Sequence, residues 1–478
     1  MQRRSAYASR EISILSPNYA VPELRRMKNE AGVASLPAER AAANRRHAKE
    51  YLRKHQLAKT QIACVPSPDL RLVVVIPCRD ESDLALTLED LSACDDSGCA
   101  VEVIVVLNAS EKDPEQVRVQ NRESLSAIES LTPVADSRGR MRFHALSFDH
   151  LPARHAGVGL ARKLGMDEAV GRLIESDARD GIIACLDADC RVERNYLSSI
   201  AAHFDRYPHT PACSIHFEHP LEGPLSEAHY RAVTEYELYL RYYRWGLKFC
   251  HHPCAHHTVG SCMAVRAGAY VRQGGMNRRK GAEDFYFLNK LMLLGGFTEL
   301  GETTVRPSPR ESWRVPFGTG RAVTDAIERA GALLQVYAPE VFDEIAALTS
   351  RVPALRDGEA KVVAALPQTL RAYLKLQSFA EKLAEIRKHT ATDEAFKLRF
   401  FRWFDGFRAL KFVRFASEHR YPRVPVQTAA LALLERMDLV PASHACDRNS
   451  AALLAHYRLM DRWGRRIPSN ATPAEVTS

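Results

Sequence analysis

The sequence predicts an α/β fold with a mainly parallel sheet, followed by an α-helical region. Three near-continuous apolar runs indicate the sheet: LVVVIP at 72–77, VEVIVVLN at 101–108 and IIACLDAD at 182–189. Runs without polar alternation are typical of strands buried on both faces, as in parallel sheets. Helical stretches separate the runs, and this alternation predicts right-handed crossovers with helices on both faces of the sheet.

The pattern divides the chain into three predicted parts. Residues 1–70 are basic and partly helical, with a helix expected over about 36–58. Residues 71–320 carry the strand pattern and form the predicted α/β domain. In residues 321–478 apolar side chains recur at helical spacing and the strand pattern stops, which predicts an α-helical C-terminal domain.

Composition and charge narrow the class of protein. The chain has 478 residues, 46% apolar and 26% charged, as expected of a globular protein. It has no run of about 18 uncharged apolar residues and no secretory signal pattern, so we expect a cytoplasmic protein.

Of the net charge of +8, most lies in residues 1–70, which hold 13 Lys and Arg against 6 Asp and Glu. We interpret this part as a solvated helix and expect no nucleic-acid partner, because basic and aromatic residues do not interleave there. Peripheral contact with the inner face of a membrane is the alternative.

Two aspartates follow the third predicted strand. In an extended chain, side chains at i and i+2 point to the same side, so Asp187 and Asp189 would concentrate negative charge at one spot. A hard divalent cation such as Mg²⁺ or Mn²⁺ suits such a pair, because it binds carboxylate oxygens together with substrate phosphates. The alternative is a strand followed by an ordinary polar turn. In open α/β sheets, ligands bind at the carboxyl ends of the strands, where this pair falls.

A second acidic pair lies about a hundred residues further on. Glu283 and Asp284 lie at the beginning of a predicted helix. The helix dipole stabilises acidic side chains there, and this alone could explain the pair. The preceding loop, however, holds Arg278, Arg279 and Lys280 after a Gly-Gly turn. Cationic side chains beside a carboxylate are what a phosphate-bearing substrate and a proton acceptor require, so we expect Arg279 and Lys280 to bind the substrate.

The order of these segments identifies a resemblance. LVVVIPCRDE, VEVIVVLNAS, GLARKLGMDEA, CLDAD and GGMNRRKGAEDF together resemble a family 2-type glycosyltransferase with a GT-A fold, over about residues 70–320. The resemblance implies that two loops and one helix bind the nucleotide-sugar donor. The residues at the matching positions are Pro77, Arg79, Glu81, Asn108, Arg162 and Lys163.

The same resemblance implies the chemical roles of the acidic residues. Asp187 and Asp189 would hold Mg²⁺ or Mn²⁺ on the donor diphosphate, and Asp187 would also contact the donor. Asp284 would deprotonate the acceptor hydroxyl, with Glu283 beside it. One departure is Asn108, which stands where the family usually has a carboxylate, so the identity of the base stays open. The Gln-x-x-Arg-Trp motif of processive synthases is absent, which favours the addition of a single sugar.

Three further segments have competing interpretations. CHHPCAHH at 250–257 is expected to line the acceptor side, with His257 nearest the chemistry as a further metal ligand; a structural zinc site is the alternative. RESWRVPFGTGR at 310–321 is expected to close over the diphosphate, or else to be a plain linker. RFFRWFDGFRALKFVRF at 399–415 is interpreted as a helix whose aromatic residues fill a core, with a membrane-interface helix as the alternative.

The sequence therefore predicts a metal-dependent, non-processive glycosyltransferase. Its partners would be a nucleotide-sugar donor and an acceptor that the sequence does not specify, whether a glycan, a lipid-linked molecule or a small molecule. A nucleotidyltransferase or an inactive scaffold with the same fold is the alternative. Retention of both acidic pairs argues against a scaffold, because buried carboxylates are costly to keep without a partner.

Overall fold

The computed structural model describes residues 36–131, 140–176, 181–311, 318–328, 332–440 and 449–463. Residues 45–478 make one compact unit, and Met1–Asn44 make another, whose described part is the beginning of α1. The predicted helix at 36–58 is α1, Leu36–His55. The predicted domain boundary at residue 320 stays a prediction.

The larger unit contains an eight-stranded sheet in the order β3-β2-β1-β4-β7-β6-β8-β5. The three predicted apolar strands are β1, β2 and β4. The strands are β1 (Leu70–Cys78), β2 (Ala100–Ser110), β3 (Met141–Leu151), β4 (Ile182–Cys185), β5 (Arg191–Val192), β6 (Ala212–Phe217), β7 (Met263–Arg266) and β8 (Thr298–Arg306).

The strand directions confirm the prediction of a mainly parallel sheet. β1 pairs in parallel with both β2 and β4, β2 with β3, and β6 with β8. β7 runs antiparallel to β4 and β6, and β5 runs antiparallel to β8. The carboxyl ends of β1, β2 and β4 therefore lie at one edge of the sheet, where a ligand site is expected.

Helices cover both faces of the sheet, which explains the uninterrupted apolar runs. In β1, Leu72, Val74 and Ile76 belong to the core on one face, and Val73 and Val75 to the core on the other. The helices of this part are α2 (Leu84–Ser92), α3 (Glu115–Leu131), α4 (Val158–Glu175), α5 (Tyr196–Arg206), α6 (Glu227–Phe249), α7 (Ala267–Arg272) and α8 (Glu283–Met292).

Helix α4 packs closely against the sheet because it carries glycine at the point of contact. A Cβ atom at Gly165 would lie 2.5 Å from Val75 Cγ1 and 2.8 Å from Val106 Cγ2. A side chain there would push α4 away from β1 and β2. The close approach fixes the position of Arg162, one turn earlier on the same helix.

A helical region follows the sheet, as predicted. Its aromatic side chains form a core with α6; Phe400, Phe404 and Phe412 are fully buried, which agrees with the core interpretation of 399–415. One short antiparallel pair, Gln335–Val336 (β9) with Val424–Pro425 (β10), departs from the all-helical prediction. The helices are α9 (Thr319–Glu328), α10 (Glu340–Thr349), α11 (Glu359–Ala364), α12 (Gln368–Leu376), α13 (Phe379–Lys388), α14 (Asp393–Trp403), α15 (Gly406–His419), α16 (Val426–Arg436) and α17 (Ser450–Trp463). The sheet and this region together confirm the predicted GT-A fold with a helical C-terminal extension.

Candidate active site

A cavity of about 880 Å³ opens at the carboxyl ends of β1, β2 and β4. It also extends along α6 and α8. Most of the residues predicted to bind or react line this one cavity, although they come from distant parts of the sequence. They are Pro77, Arg79, Glu81, Asn108, Arg162, Asp187, Asp189, His257, Lys280, Glu283 and Asp284.

The two aspartates after β4 lie in a turn, which corrects the extended geometry assumed above. β4 ends at Cys185, and the backbone N–H of Cys190 donates to the carbonyl of Asp187 at 3.2 Å. Both carboxylates nevertheless line the cavity, with 36% of the Asp187 side chain and 24% of the Asp189 side chain exposed. The pair is therefore available to a ligand, and its position follows from the end of β4.

Arg162 joins the two acidic pairs. Its guanidinium donates to Asp187 Oδ1 at 2.5 Å and to Glu283 Oε1, and its side chain is only 3% exposed. Burial alone would lower the pKa of this group, but the charges of Asp187 and Glu283 outweigh it and raise the pKa. The Nε atom is buried and has no hydrogen-bond partner in the described part of the chain. Arg162 therefore fixes the carboxylate after β4 relative to the acidic pair of α8.

Gly260 leaves the space that the Arg162 guanidinium occupies. A Cβ atom there would lie 2.3 Å from Arg162 Nη1, and the guanidinium cannot shift without losing a carboxylate. We expect Gly260→Ala to cost about 1–3 kcal/mol of stability, as overpacking does, and to weaken ligand binding at the cavity. Urea unfolding checks the first effect. Gly358→Ala is the matched control, because nothing lies within 4 Å of a Cβ at that position; equal losses in the two variants would contradict the assignment.

Asp284 is placed at the cavity wall by the beginning of α8. Ala282, directly before the helix, adopts a left-handed backbone with φ of 57°, a strained conformation for a residue with a side chain. Desolvation and the neighbouring charge of Glu283 raise the pKa of Asp284 to about 7, against the opposing effect of Arg162. A carboxyl group with this pKa can both accept and release a proton near neutral pH.

The basic loop before α8 contributes one of its predicted residues to the cavity. Lys280 lines the cavity, and its backbone packs 3.0 Å from the position of a Cβ at Gly157, at the beginning of α4. Arg279 does not line it and instead lies over the ring of Tyr286, 4.0 Å from the centroid. A role for Arg279 in donor binding therefore requires it to leave that ring.

Lys163 corrects the prediction that both basic residues of α4 approach a donor. Its Nζ donates to Tyr51 Oη at 2.9 Å and to Asp167 Oδ2 at 2.8 Å, and the side chain is 7% exposed. Lys163 is not among the residues that line the cavity. Successive residues on a helix point about 100° apart, and Lys163 bonds to Tyr51 and Asp167 while Arg162 faces the cavity.

The loops after β1 and β2 are joined by an ion pair that sequence reasoning missed. Arg79 donates to both carboxylate oxygens of Asp113, at 2.9 and 2.8 Å. Asp113 also accepts from the backbone N–H of Ser110 at 2.8 Å, and these bonds lower its pKa. Arg79, Asn108 and Asp113 all line the cavity, so this pair shapes the end where a nucleotide is expected.

Arg310 is a second arginine that contacts acidic side chains at the cavity. Its guanidinium donates to Glu81 Oε2 and lies 3.1 Å from Asp189 Oδ2 and 3.4 Å from Asp83 Oδ2. It belongs to the segment 310–321 that was expected to close over a diphosphate. Residues 312–317 of that segment lie outside the described residues, so closure stays a prediction.

His257 lines the cavity and forms a hydrogen bond with the C-terminal helical region. Its Nε2 lies 2.8 Å from Asp461 Oδ2, on α17, 204 residues away. Desolvation lowers the pKa of His257 although the Asp461 charge opposes it, so the imidazole is neutral near pH 7. The predicted role as a metal ligand stays a prediction. Within the described ranges, no group of three or more His, Cys, Asp or Glu is placed to hold a metal ion, and this includes 250–257.

Comparison with known proteins identifies the sheet region. Residues 73–267 match the model of glycosyl transferase family 2. This part of the chain is similar to that family over its whole matched length. The family 2 segment contains Arg162, Asp187 and Asp189 and ends before Glu283 and Asp284, so the second acidic pair lies outside the matched region.

Solved structures give a weaker resemblance. The TarS fragment 1–349 from S. aureus is 14% identical, covers 70% of this chain and 92% of its own, and has a TM-score of 0.36. The mannosyltransferase PcManGT from Pyrobaculum calidifontis, solved with GDP-Man and Mn²⁺, is 16% identical, covers 90% of this chain and 97% of its own, and has a TM-score of 0.32. No curated protein sequence matches the chain.

The described helices include none that is long and apolar enough to span a bilayer. The aromatic residues of 399–415 that were considered for a membrane interface are largely buried in the helical core. The predicted cytoplasmic location stays a prediction.

Proposed function

We propose that this glycosyltransferase moves one sugar from a nucleotide-sugar donor to an acceptor hydroxyl, with the help of a divalent metal. One observation carries the proposal: the acidic pairs Asp187/Asp189 and Glu283/Asp284 border a single cavity at the carboxyl edge of the sheet, joined by Arg162. The family match of residues 73–267 supports the same reaction class.

The donor fits at the end of the cavity formed by the loops after β1 and β2. Pro77, Arg79, Asn108 and Asp113 supply a wall with both donors and acceptors for a base and a ribose. Between this wall and Asp284, positively charged groups are available to the diphosphate. Lys280, Arg162 and Arg310 line that stretch.

The residues present fit a divalent metal. Asp187 and Asp189 offer carboxylate oxygens to the cavity, and Mg²⁺ is usually held by one or two carboxylates together with substrate phosphates. No third protein ligand is needed for such a site. Each carboxylate is balanced by a guanidinium, Arg162 for Asp187 and Arg310 for Asp189, and these cations would share the carboxylates with the metal. When bound, the metal would stabilise the charge on the departing diphosphate.

The protein's own groups supply the remaining chemistry. Asp284 would accept the proton of the acceptor hydroxyl, since its raised pKa matches the operating pH of a general base. Arg162 would hold the side chain of Glu283 next to Asp284 and keep the two acidic pairs in a fixed position relative to each other. Flanking Arg and Lys side chains in a partly dry cavity would stabilise charge that develops on phosphate oxygens.

The experiment that tests the proposal is the release of nucleoside diphosphate from a panel of nucleotide sugars, with Mn²⁺ and with EDTA. A transferase would release the diphosphate slowly without an acceptor and faster with one, and would need the metal. Products carrying a single added sugar would support non-processive transfer. Release of pyrophosphate from a nucleoside triphosphate would instead indicate a nucleotidyltransferase, and no reaction with any donor would indicate a scaffold.

The rate should depend on the protonation of Asp284. The carboxylate is the active form of a general base, and its pKa of about 7 lies above the ordinary value of 3.8. We expect kcat/KM at saturating metal to rise about tenfold per pH unit below about pH 7 and to level off above it. A profile that is flat from pH 5 to pH 8 would contradict this role.

A further inference from the structure

The cavity continues past Asp284 along two helices. α6 and α8 each contribute side chains that recur every three or four positions and therefore share one face of their helix. These positions are Tyr236, Leu240, Tyr243 and Leu247 on α6, and Phe285, Asn289 and Met292 on α8. We call this part of the cavity, together with Cys254, the α6–α8 arm.

The arm changes from polar to apolar along its length. The α6 positions are 11 steps apart from first to last, or about 17 Å at 1.5 Å per residue. At the near end, Tyr236 and Asp284 line the cavity together, and burial and the charge of Asp284 raise the pKa of Tyr236. At the far end the lining side chains are Leu247, Cys254 and Met292.

Most of the polar groups at the far end already form hydrogen bonds within the protein. Asn289 Oδ1 accepts from the backbone N–H of Gly406 at 3.2 Å and from Cys254 Sγ at 2.9 Å. The charged residues that border this region are also paired, since Arg244 and His257 both bond to Asp461, at 2.7 and 2.8 Å. Two buried polar atoms here have no hydrogen-bond partner in the described part of the chain, the hydroxyl of Tyr243 and the Nε of Arg244.

We infer that the α6–α8 arm binds the apolar chain of an amphiphilic acceptor whose hydroxyl lies at Asp284. The inference rests on the proposed function and adds the class of acceptor to it. A glycan in the arm would bury many hydroxyls against aliphatic walls, and each unpaired hydroxyl would be costly. An alkyl or prenyl chain gains free energy from the same surface, and Tyr243 can pair with a single oxygen near the head group.

Binding of n-alkyl β-glucosides, from hexyl to decyl and below their micelle concentrations, tests the inference by calorimetry on the full-length protein. Each added methylene that enters the arm should lower Kd by about fourfold, until the arm is filled. Binding should saturate at one molecule per chain. Unbranched gluco-oligosaccharides of increasing length should show no such gain.

Two variants locate the effect. Leu247→Asn, at the far end, should remove most of the gain between octyl and decyl and leave hexyl binding close to that of the unmodified protein. Leu240→Asn, at a half-buried position nearer the base, should weaken the whole series. Leu376→Asn is the matched control, because Leu376 is 68% exposed and lies outside the cavity lining. Thermal unfolding checks that each variant is folded. If a variant is not folded, the dependence of Kd on chain length in the unmodified protein still tests the inference.

The outcomes separate the inference from the proposed function. A Kd that does not change with chain length, or that falls with oligosaccharide length instead, overturns the inference even if nucleotide sugars are turned over. Chain-length dependence that Leu247→Asn and Leu376→Asn reduce equally also overturns it. Chain-length dependence without any nucleotide-sugar turnover leaves the arm intact and overturns the proposed reaction.

Discussion

Asp284→Asn should lower kcat by about 10² to 10⁴ while the protein still binds nucleoside diphosphate. An amide is nearly isosteric with the carboxyl group but cannot accept the proton of the acceptor hydroxyl. Asp284 belongs to α8 and not to the loops after β1 and β2 that form the nucleotide end of the cavity, so the donor KM should change little. Steady-state kinetics with the donor and acceptor varied in turn measures both constants.

The control for this change is a carboxylate outside the cavity. Asp205 pairs with Arg71 at the surface, with 62% of its side chain exposed, so Asp205→Asn should retain full activity. The acid limb of the pH profile should also disappear in Asp284→Asn, because the titrating group is gone. Unchanged kcat in this variant would assign the proton transfer to another group.

Arg162→Met should destabilise the protein by about 3–5 kcal/mol and also abolish transfer. The substitution leaves Glu283, with only 2% of its side chain exposed, as a buried carboxylate without its cation. Urea unfolding of the variant and of the unmodified protein measures this loss.

Arg172→Met is the matched control for a buried arginine. Arg172 donates to both oxygens of Glu102 at 2.8 and 2.6 Å, and its side chain is fully buried away from the cavity lining. Its loss should cost a similar amount of stability and leave nucleotide binding intact. Equal nucleotide affinity in the two variants would show that Arg162 is a structural residue only.

The pattern of apolar residues was sufficient to predict the centre of the sheet. β1, β2 and β4 are buried on both faces, so their sequences contain uninterrupted aliphatic runs. β8, with the sequence TELGETTVR, and β3, an edge strand with exposed positions, lack that signal. Their pairing depends on contacts between distant segments, which a local pattern does not contain.

The sequence was sufficient to predict the carboxylates of the site but not the side chains to which the site residues bond. Asp187 and Asp189 line the cavity although β4 already ends at Cys185. Their position directly after the carboxyl end of β4 brings them to the cavity, whether the backbone there is extended or turned. Lys163 was predicted wrongly because its bond to Tyr51, 112 residues away, is not visible in a local pattern. The contact between His257 and Asp461 joins residues 204 positions apart, and no spacing in the sequence indicates it.

We propose that the carboxylates after β4 and the acidic pair of α8 serve a single ligand site with separate tasks. Calorimetric binding of nucleoside diphosphates, UDP and GDP, in the presence of Mn²⁺ tests it most directly. The unmodified protein and Asp284→Asn should bind one of them with similar affinity, and the double variant Asp187→Asn/Asp189→Asn should bind it at least about tenfold more weakly, since charge-assisted metal contacts are lost. Equal affinity in all three proteins, or affinity that does not respond to Mn²⁺ in any of them, would contradict the account.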